Sequence, residues 1–148
     1  MPAKNNFGEI SRNYSDASIL MHESIARKVG LAGTDHKYLG LIIKNKELTA
    51  GEIAEKTGLT TGAVTGLIDR LEKRKLVKRK LDTVDRRKVW IVPNTDKTME
   101  LLEPVFKDLQ QRTQELIDTF SETEMAIIQR YFLSATEIMK AITENLKK

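Results

Sequence analysis

Cysteine is absent from this 148-residue chain, and that absence removes several kinds of chemistry together. It excludes a disulfide framework, a thiol nucleophile, a thiolate zinc site and a thiol redox sensor. Histidine is scarce, with only His22 and His36. Two imidazoles among scattered carboxylates fall short of a four-ligand zinc site. No phosphate-binding loop or catalytic set stands out, so neither an enzyme nor a cofactor or metal is expected. Long apolar runs are missing as well. The longest, around Leu39 to Ile43, is far below the roughly 20 residues that a transmembrane helix needs. The N-terminal segment has no signal-peptide core. The expectation is a soluble cytoplasmic protein with no membrane partner. Hydrophobic residues still make up 40% of the chain, too many and too evenly spread for disorder. The length suits one domain with a single core.

The formal net charge is +4, and its location matters more than its size. Residues 1–69 balance eight basic against eight acidic side chains, whereas residues 70–88 hold ten basic and three acidic ones. Residues 94–148 hold seven basic and ten acidic. The positive excess thus sits between Arg70 and Lys88. Such a window is the footprint of a polyanion binder, or a solvated stretch kept for solubility. The flanking pattern has to decide.

Residues 1–9 hold few apolar groups and are expected to fray. From Ile10 the series Tyr14, Ala17, Met21, Ile25, Val29 has a three-to-four-residue period and predicts an amphipathic helix ending at Gly30 or Gly33. Thr34 is placed to cap a second helix, with Asp35 and His36 in its first turn. Thr49-Ala50-Gly51-Glu52 is a capping box opening a short helix over about 50–57. Gly58 suits the left-handed residue that ends it. Thr60 caps a fourth helix, to about Arg74, with Val64, Leu67, Ile68 and Leu71 as its apolar stripe. The period then changes to two: Val77, Arg79 and Leu81 alternate with lysines, and Val89 to Val92 supplies a partner strand. The hairpin they form has a charged tip, and Pro93 closes it. Met99, Leu102, Phe106, Leu109, Leu116 and Phe120 mark a long fifth helix, kinked or started in its regular part by Pro104. A second capping box, Ser121 to Glu124, opens a sixth helix.

The middle of the chain therefore reads helix, tight turn, helix, basic hairpin. Small Ala54 permits close helix approach, Gly58 the turn, and Leu59 with Val64 fills the angle between helices, as in a helix-turn-helix. A purely structural helical hairpin shares that apolar pattern. The outward face of the fourth helix tips the balance. Thr60, Thr61, Gly62, Thr65 and Gly66 are small or hydroxylic, which lets a helix sink into a major groove and meet phosphates and base edges. Two helical glycines cost roughly 1 kcal/mol each against Ala, which a structural helix has little reason to bear on an exposed face. Arg70 and Lys73 lie further along, within reach of backbone phosphates. Arg86 and Arg87, with Lys88 beside them, are placed to enter the narrow, electronegative minor groove. The alternative for the two arginines is an ion pair with Asp82, Asp85 or Asp69.

On these residues the chain resembles the MarR family of bacterial winged-helix regulators. The match runs from about Leu48 to Val92: Leu48 to Ala54, Gly58 to Thr65, Ile68 to Glu72, Leu76-Val77 with Arg79, and the wing motif Asp85-Arg86-Arg87. Lys75 stands where the family often has a turn glycine, and Pro93 to Asp96 replace the usual Thr and Gly after the second strand. The resemblance implies a mainly α fold of about six helices with a small β-hairpin wing, a winged helix-turn-helix plus a helical dimerisation region. It implies one compact chain in which 1–33 and 94–148 dimerise and 34–93 bind DNA. It implies that the fourth helix reads DNA and that Asp69 holds Arg87, with Asp85 supporting the wing. Family members often bind small aromatic anions, for which Tyr14, His22, Arg27, His36 and Tyr38 are the candidate pocket residues.

Dimerisation has a separate argument. The helical patterns at both ends exceed what a winged helix of about seventy residues needs for its core, and apolar stripes there suit a symmetry mate; the rival is a larger monomeric core. The expected function is that of a sequence-specific double-stranded DNA-binding transcriptional regulator, a ligand-responsive repressor acting as a homodimer on a pseudo-palindromic operator. The alternative is a winged-helix protein-interaction module, or a nonspecific architectural DNA-binding one.

Overall fold

In a computed structural model of the chain, residues 2–147 are described. Six helices and three short strands follow the order α1 (Pro2–Val29), α2 (Asp35–Lys44), β1 (Leu48–Thr49), α3 (Ala50–Thr57), α4 (Thr61–Lys73), β2 (Val77–Leu81), β3 (Val89–Pro93), α5 (Thr95–Ile117) and α6 (Glu122–Leu146). The chain divides into two compact units, residues 1–105 and residues 106–148. That boundary falls inside α5. Among the described residues no helix is long and apolar enough to cross a membrane.

The first unit is built around α2, α3, α4 and the sheet. Leu39, Ile42, Ile53, Leu67, Leu71 and Ile91 are almost wholly excluded from solvent, each contributing about 1.5–3 kcal/mol by burial. Leu101, Leu102 and Val105 of α5 pack against the same cluster. The sheet has the order β1-β3-β2, all antiparallel, with Leu48 opposite Ile91 and Ile91 opposite Arg79. β1 has only two residues, too few to leave an alternating pattern, which is why the sequence reading has no strand there.

Two local expectations differ from the structure. The helix expected from Ile10 starts at Pro2 instead; a first-turn proline sacrifices no helical hydrogen bond, because that N–H has no intrahelical partner anyway. Thr34 precedes α2 but makes no side-chain cap. Its backbone is not extended as a capping residue requires, and the Thr34 carbonyl instead accepts from the Lys37 N–H at 2.9 Å. α5 begins at Thr95 and continues through Pro104, its first turn served by Asn94, whose side-chain oxygen accepts from Lys97 N–H at 3.1 Å. The turn before β2 holds Lys75 in the left-handed region at φ 59°, where glycine is free of strain but a residue with a Cβ is strained by about 1 kcal/mol or more.

In the second unit, the Ser121 capping box forms as expected, with Ser121 N–H donating to Glu124 at 2.8 Å and Glu124 N–H to Ser121 Oγ at 3.3 Å. This unit buries little. Leu133, Ile138, Met139 and Ile142 of α6 are exposed, and none of the α6 residues is fully buried.

Candidate nucleic-acid interface

The helix-turn-helix forms where the residues place it. Thr49 caps α3, accepting from Glu52 N–H at 3.2 Å, while Glu52 accepts from Thr49 N–H at 2.7 Å. Those bonds to Thr49 hold the Glu52 carboxyl below its usual range. Gly58 ends α3 with φ 72°, where a side chain would strain the turn. Thr60 caps α4 by accepting from Ala63 N–H at 3.2 Å, so its hydroxyl serves the helix. Thr61, Gly62 and Thr65 are exposed on the first turns, and Thr65 Oγ1 donates to the Thr61 carbonyl at 3.0 Å. A Cβ built at Gly62 would meet nothing within 4 Å. The fold itself therefore has no need of glycine there, whereas an external partner approaching the helix closely would.

The basic side chains of α4 are divided in their use. Arg70, expected at phosphate, is held by Asp35 through two bonds, Nε at 2.8 Å and Nη2 at 3.0 Å; this pairing raises the guanidinium pKa. Arg74 donates to the Val29 carbonyl at 2.8 Å and to that of Gly30, tying the end of α4 to the end of α1. Lys73 remains exposed.

Asp69 does not hold Arg87. It accepts from Arg79 of β2 at 2.6 Å, and Arg79 also pairs with Glu72. The guanidinium that clamps wing to helix thus comes from within the first wing strand, directly beside α4, and not from the loop. Asp85 acts within the loop, its carboxylate accepting from Arg87 N–H at 3.0 Å. Among the described residues, neither the Arg86 nor the Arg87 guanidinium is in an ion pair. Both are exposed at the wing. Lys88 Nζ lies 4.0 Å from the centre of the Trp90 ring, a cation–π contact.

The five residues considered for an effector pocket are only partly brought together. His22 Nδ1 and His36 Nε2 lie 3.0 Å apart, with the rings stacked. Desolvation lowers both pKa values first; Lys37 lowers His22 further, while His22 and then Lys37 lower His36, with Asp35 opposing. Tyr14 is exposed, Tyr38 packs on the core, and Arg27 is exposed and donates to Ser24. An open groove of about 590 Å³ lies elsewhere, between the end of α4 and the base of the wing, lined among others by Glu72, Lys78, Val92 and Asn94.

Sequence reasoning missed the roles of five residues: Asp35, Arg74, Arg79, Asp82 and Trp90. Each acts through a partner that is distant in sequence or across a loop, and no local period marks such pairs.

Comparison with known proteins agrees with this geometry. The model of the MarR family matches residues 29–88. The uncharacterized HTH-type transcriptional regulator YcgE of Bacillus subtilis is 36% identical over 140 residues, covering 95% of this chain and 90% of that protein. The HTH-type transcriptional regulator MhqR of the same organism is 30% identical over 139 residues, covering 94% and 90%. Among solved structures, Streptococcus pneumoniae FabT in complex with DNA superposes with a TM-score of 0.77 at 17% identity, covering 94% of this chain and 99% of that one; at that identity the likeness concerns the fold.

Proposed function

The chain belongs to the MarR family of winged helix-turn-helix transcriptional regulators, and on that premise we propose that it is a ligand-responsive repressor binding a pseudo-palindromic operator as a homodimer in the cytoplasm. The observation that carries the DNA reading is the pairing of two exposed features, the start of α4 and a wing that Arg79 ties to α4 through Asp69 and Glu72. The first turns of α4 present exposed Thr61, Gly62 and Thr65, and the wing presents exposed Arg86 and Arg87, which have no ion pair among the described residues. The helix enters the major groove, where the hydroxyls and backbone amides meet base edges and phosphates. The wing arginines enter the adjacent minor groove. Lys73 and Lys88 add phosphate contacts, whereas Arg70, spent on Asp35, holds α4 in place.

The dimer reading is supported by the exposed apolar side chains of α1 and of α6. Ile10, Ile19 and Leu20 on the one, and Leu133, Ile138 and Met139 on the other, are open to solvent in the single chain, and a symmetry mate would bury them. Two recognition helices then reach half-sites about 10 base pairs apart, centre to centre. A small aromatic anion acting near His22 and His36 would shift the DNA-competent population.

Selection of bound duplexes from random DNA tests the reading. The expected result is a two-fold-related consensus whose binding falls steeply with salt through counterion release. Salt-steep binding without any consensus would favour an architectural role instead.

A further inference from the structure

The loop joining β2 to β3 carries more fixed geometry than a solvated tip requires, and its hub is a residue that no motif singles out. Asp82 opens the loop. Its Oδ1 accepts from the backbone N–H groups of Val84 and Asp85, both at 2.9 Å, and its Oδ2 accepts from Trp90 Nε1 at 2.8 Å. Two backbone bonds close the same loop: Asp82 N–H to the Lys88 carbonyl at 3.0 Å and Lys88 N–H to the Asp85 carbonyl at 2.9 Å. Val84 projects from the tip with 93% of its surface exposed, so contacts of the Val84 side chain do not hold the loop. The work falls to the Asp82 carboxylate. Its two oxygens have separate tasks, one shaping the tip and the other anchoring that tip to the indole on β3, which stands opposite Lys80 on β2 and Thr49 on β1 in the sheet.

A loop of this length ordinarily samples many shapes, and freezing it on binding weakens affinity. We infer that Asp82, gripped by the Trp90 indole, is a positioning residue for DNA binding: it fixes the wing tip so that Arg86 and Arg87 stand ready for the minor groove before DNA arrives. This rests on the DNA-binding reading above. The same three donors that shape the loop keep the carboxyl ionised, its pKa lowered to about 2 by the bonds from Asp85, Trp90 and Val84, so the tip holds its form across the whole physiological range.

The two-task arrangement gives the inference its own signature. An asparagine at 82 retains one carbonyl oxygen for the Val84 and Asp85 amides, but turns its NH2 toward the indole N–H, donor against donor. Asp82→Asn therefore breaks the same link that Trp90→Phe breaks. Asp82→Ala loses both tasks.

The experiment uses the full-length protein and the duplex it selects from random DNA, with Kd measured across a salt series. Asp82→Asn and Trp90→Phe should each weaken binding about tenfold, as expected for a bond to a charged acceptor. The double variant should stay within about twofold of either single one, because the two changes remove one interaction. Asp82→Ala should be weaker still. In all of them the slope of log K against log salt should fall by about 1 to 2, as the wing arginines lose their contacts. Trp90 is the sole tryptophan, so its one indole N–H resonance should move in free Asp82→Ala, reporting the link without DNA. Unchanged Kd and slope in the variants, beside a wild-type protein that binds, would overturn the positioning role alone. A lowered melting temperature with an intact slope, or effects that multiply in the double variant, would overturn it too. A wild-type protein that binds no duplex would overturn the DNA reading and this inference together.

Discussion

Replacing Arg70 with alanine separates two roles that the sequence cannot distinguish: a phosphate contact and an internal strut. The Asp35 side chain is 7% exposed and the Arg70 side chain 50% exposed. Both carboxylate oxygens of Asp35 point at this one guanidinium. Arg70→Ala leaves a nearly buried carboxylate without those two donors. Breaking a fully buried pair costs about 3–5 kcal/mol. Water already reaches half of this arginine and screens the pair, which brings the expected loss to about 1–2 kcal/mol. For a chain of this size that lowers the melting temperature by about 2–8 °C. Asp35→Ala should cost less, since the arginine it frees is already half solvated, and adding it to Arg70→Ala should cost almost nothing more. The assays are thermal unfolding at fixed protein concentration and DNA binding across a salt series. The strut account expects a lower melting temperature and an unaltered salt slope. An unchanged melting temperature with a slope reduced by about 1 would refute it and restore Arg70 to the phosphates.

Three further outcomes are expected. Thr65→Glu should abolish DNA binding in a gel-shift assay while leaving the circular dichroism spectrum intact, because Thr65 is exposed and the new carboxylate would face phosphates. Leu133→Lys with Met139→Lys should give a monomeric mass by light scattering, since both side chains are exposed in the single chain; a retained dimer mass would place the interface elsewhere. The His22–His36 pair makes stability pH-dependent. Both folded pKa values lie below the ordinary value of 6.5, so the unfolded chain takes up protons first as the pH drops. The contribution is complete above about 6.5 and is lost as the pH falls toward the folded values. The melting temperature should therefore decline between about pH 7 and pH 5, and His36→Gln should flatten that decline.

What could be read from the sequence was whatever obeys a local rule. The capping boxes at Thr49 and Ser121, the left-handed Gly58, the stripe Val64, Leu67, Ile68, Leu71 and the change to period two at Val77 all depend on residues within one or two turns of each other, and the structure has them. β1 was illegible because a two-residue strand has no period. The start of α1 was missed because residues 1–9 hold few apolar groups from which a period could be read. In the candidate interface, the small residues of α4 could be found from composition alone. The partners of its arginines could not: Arg70 meets Asp35 across 35 positions and Arg74 meets Val29 across 45. The assignment of Asp69 to Arg87 failed for the same reason, since Arg79 and Arg87 are both arginines of the wing and only the hairpin register decides which one lies over α4.

The bond from Arg74 to the last carbonyls of α1 turns that helix into a lever. At 28 residues α1 spans about 42 Å, and its fulcrum is the end fastened to α4. A tilt of about 5° about that point moves the far end by about 4 Å, on the order of the 3.4 Å rise between stacked bases. In the proposed dimer the far ends of two such levers would belong to the shared interface, so the spacing of the recognition helices would follow the angle at which α1 leaves the end of α4. Small adjustments among Ile10, Ile19 and Leu20 would then be felt as a misfit of about one base pair, giving an effector leverage without its touching α4.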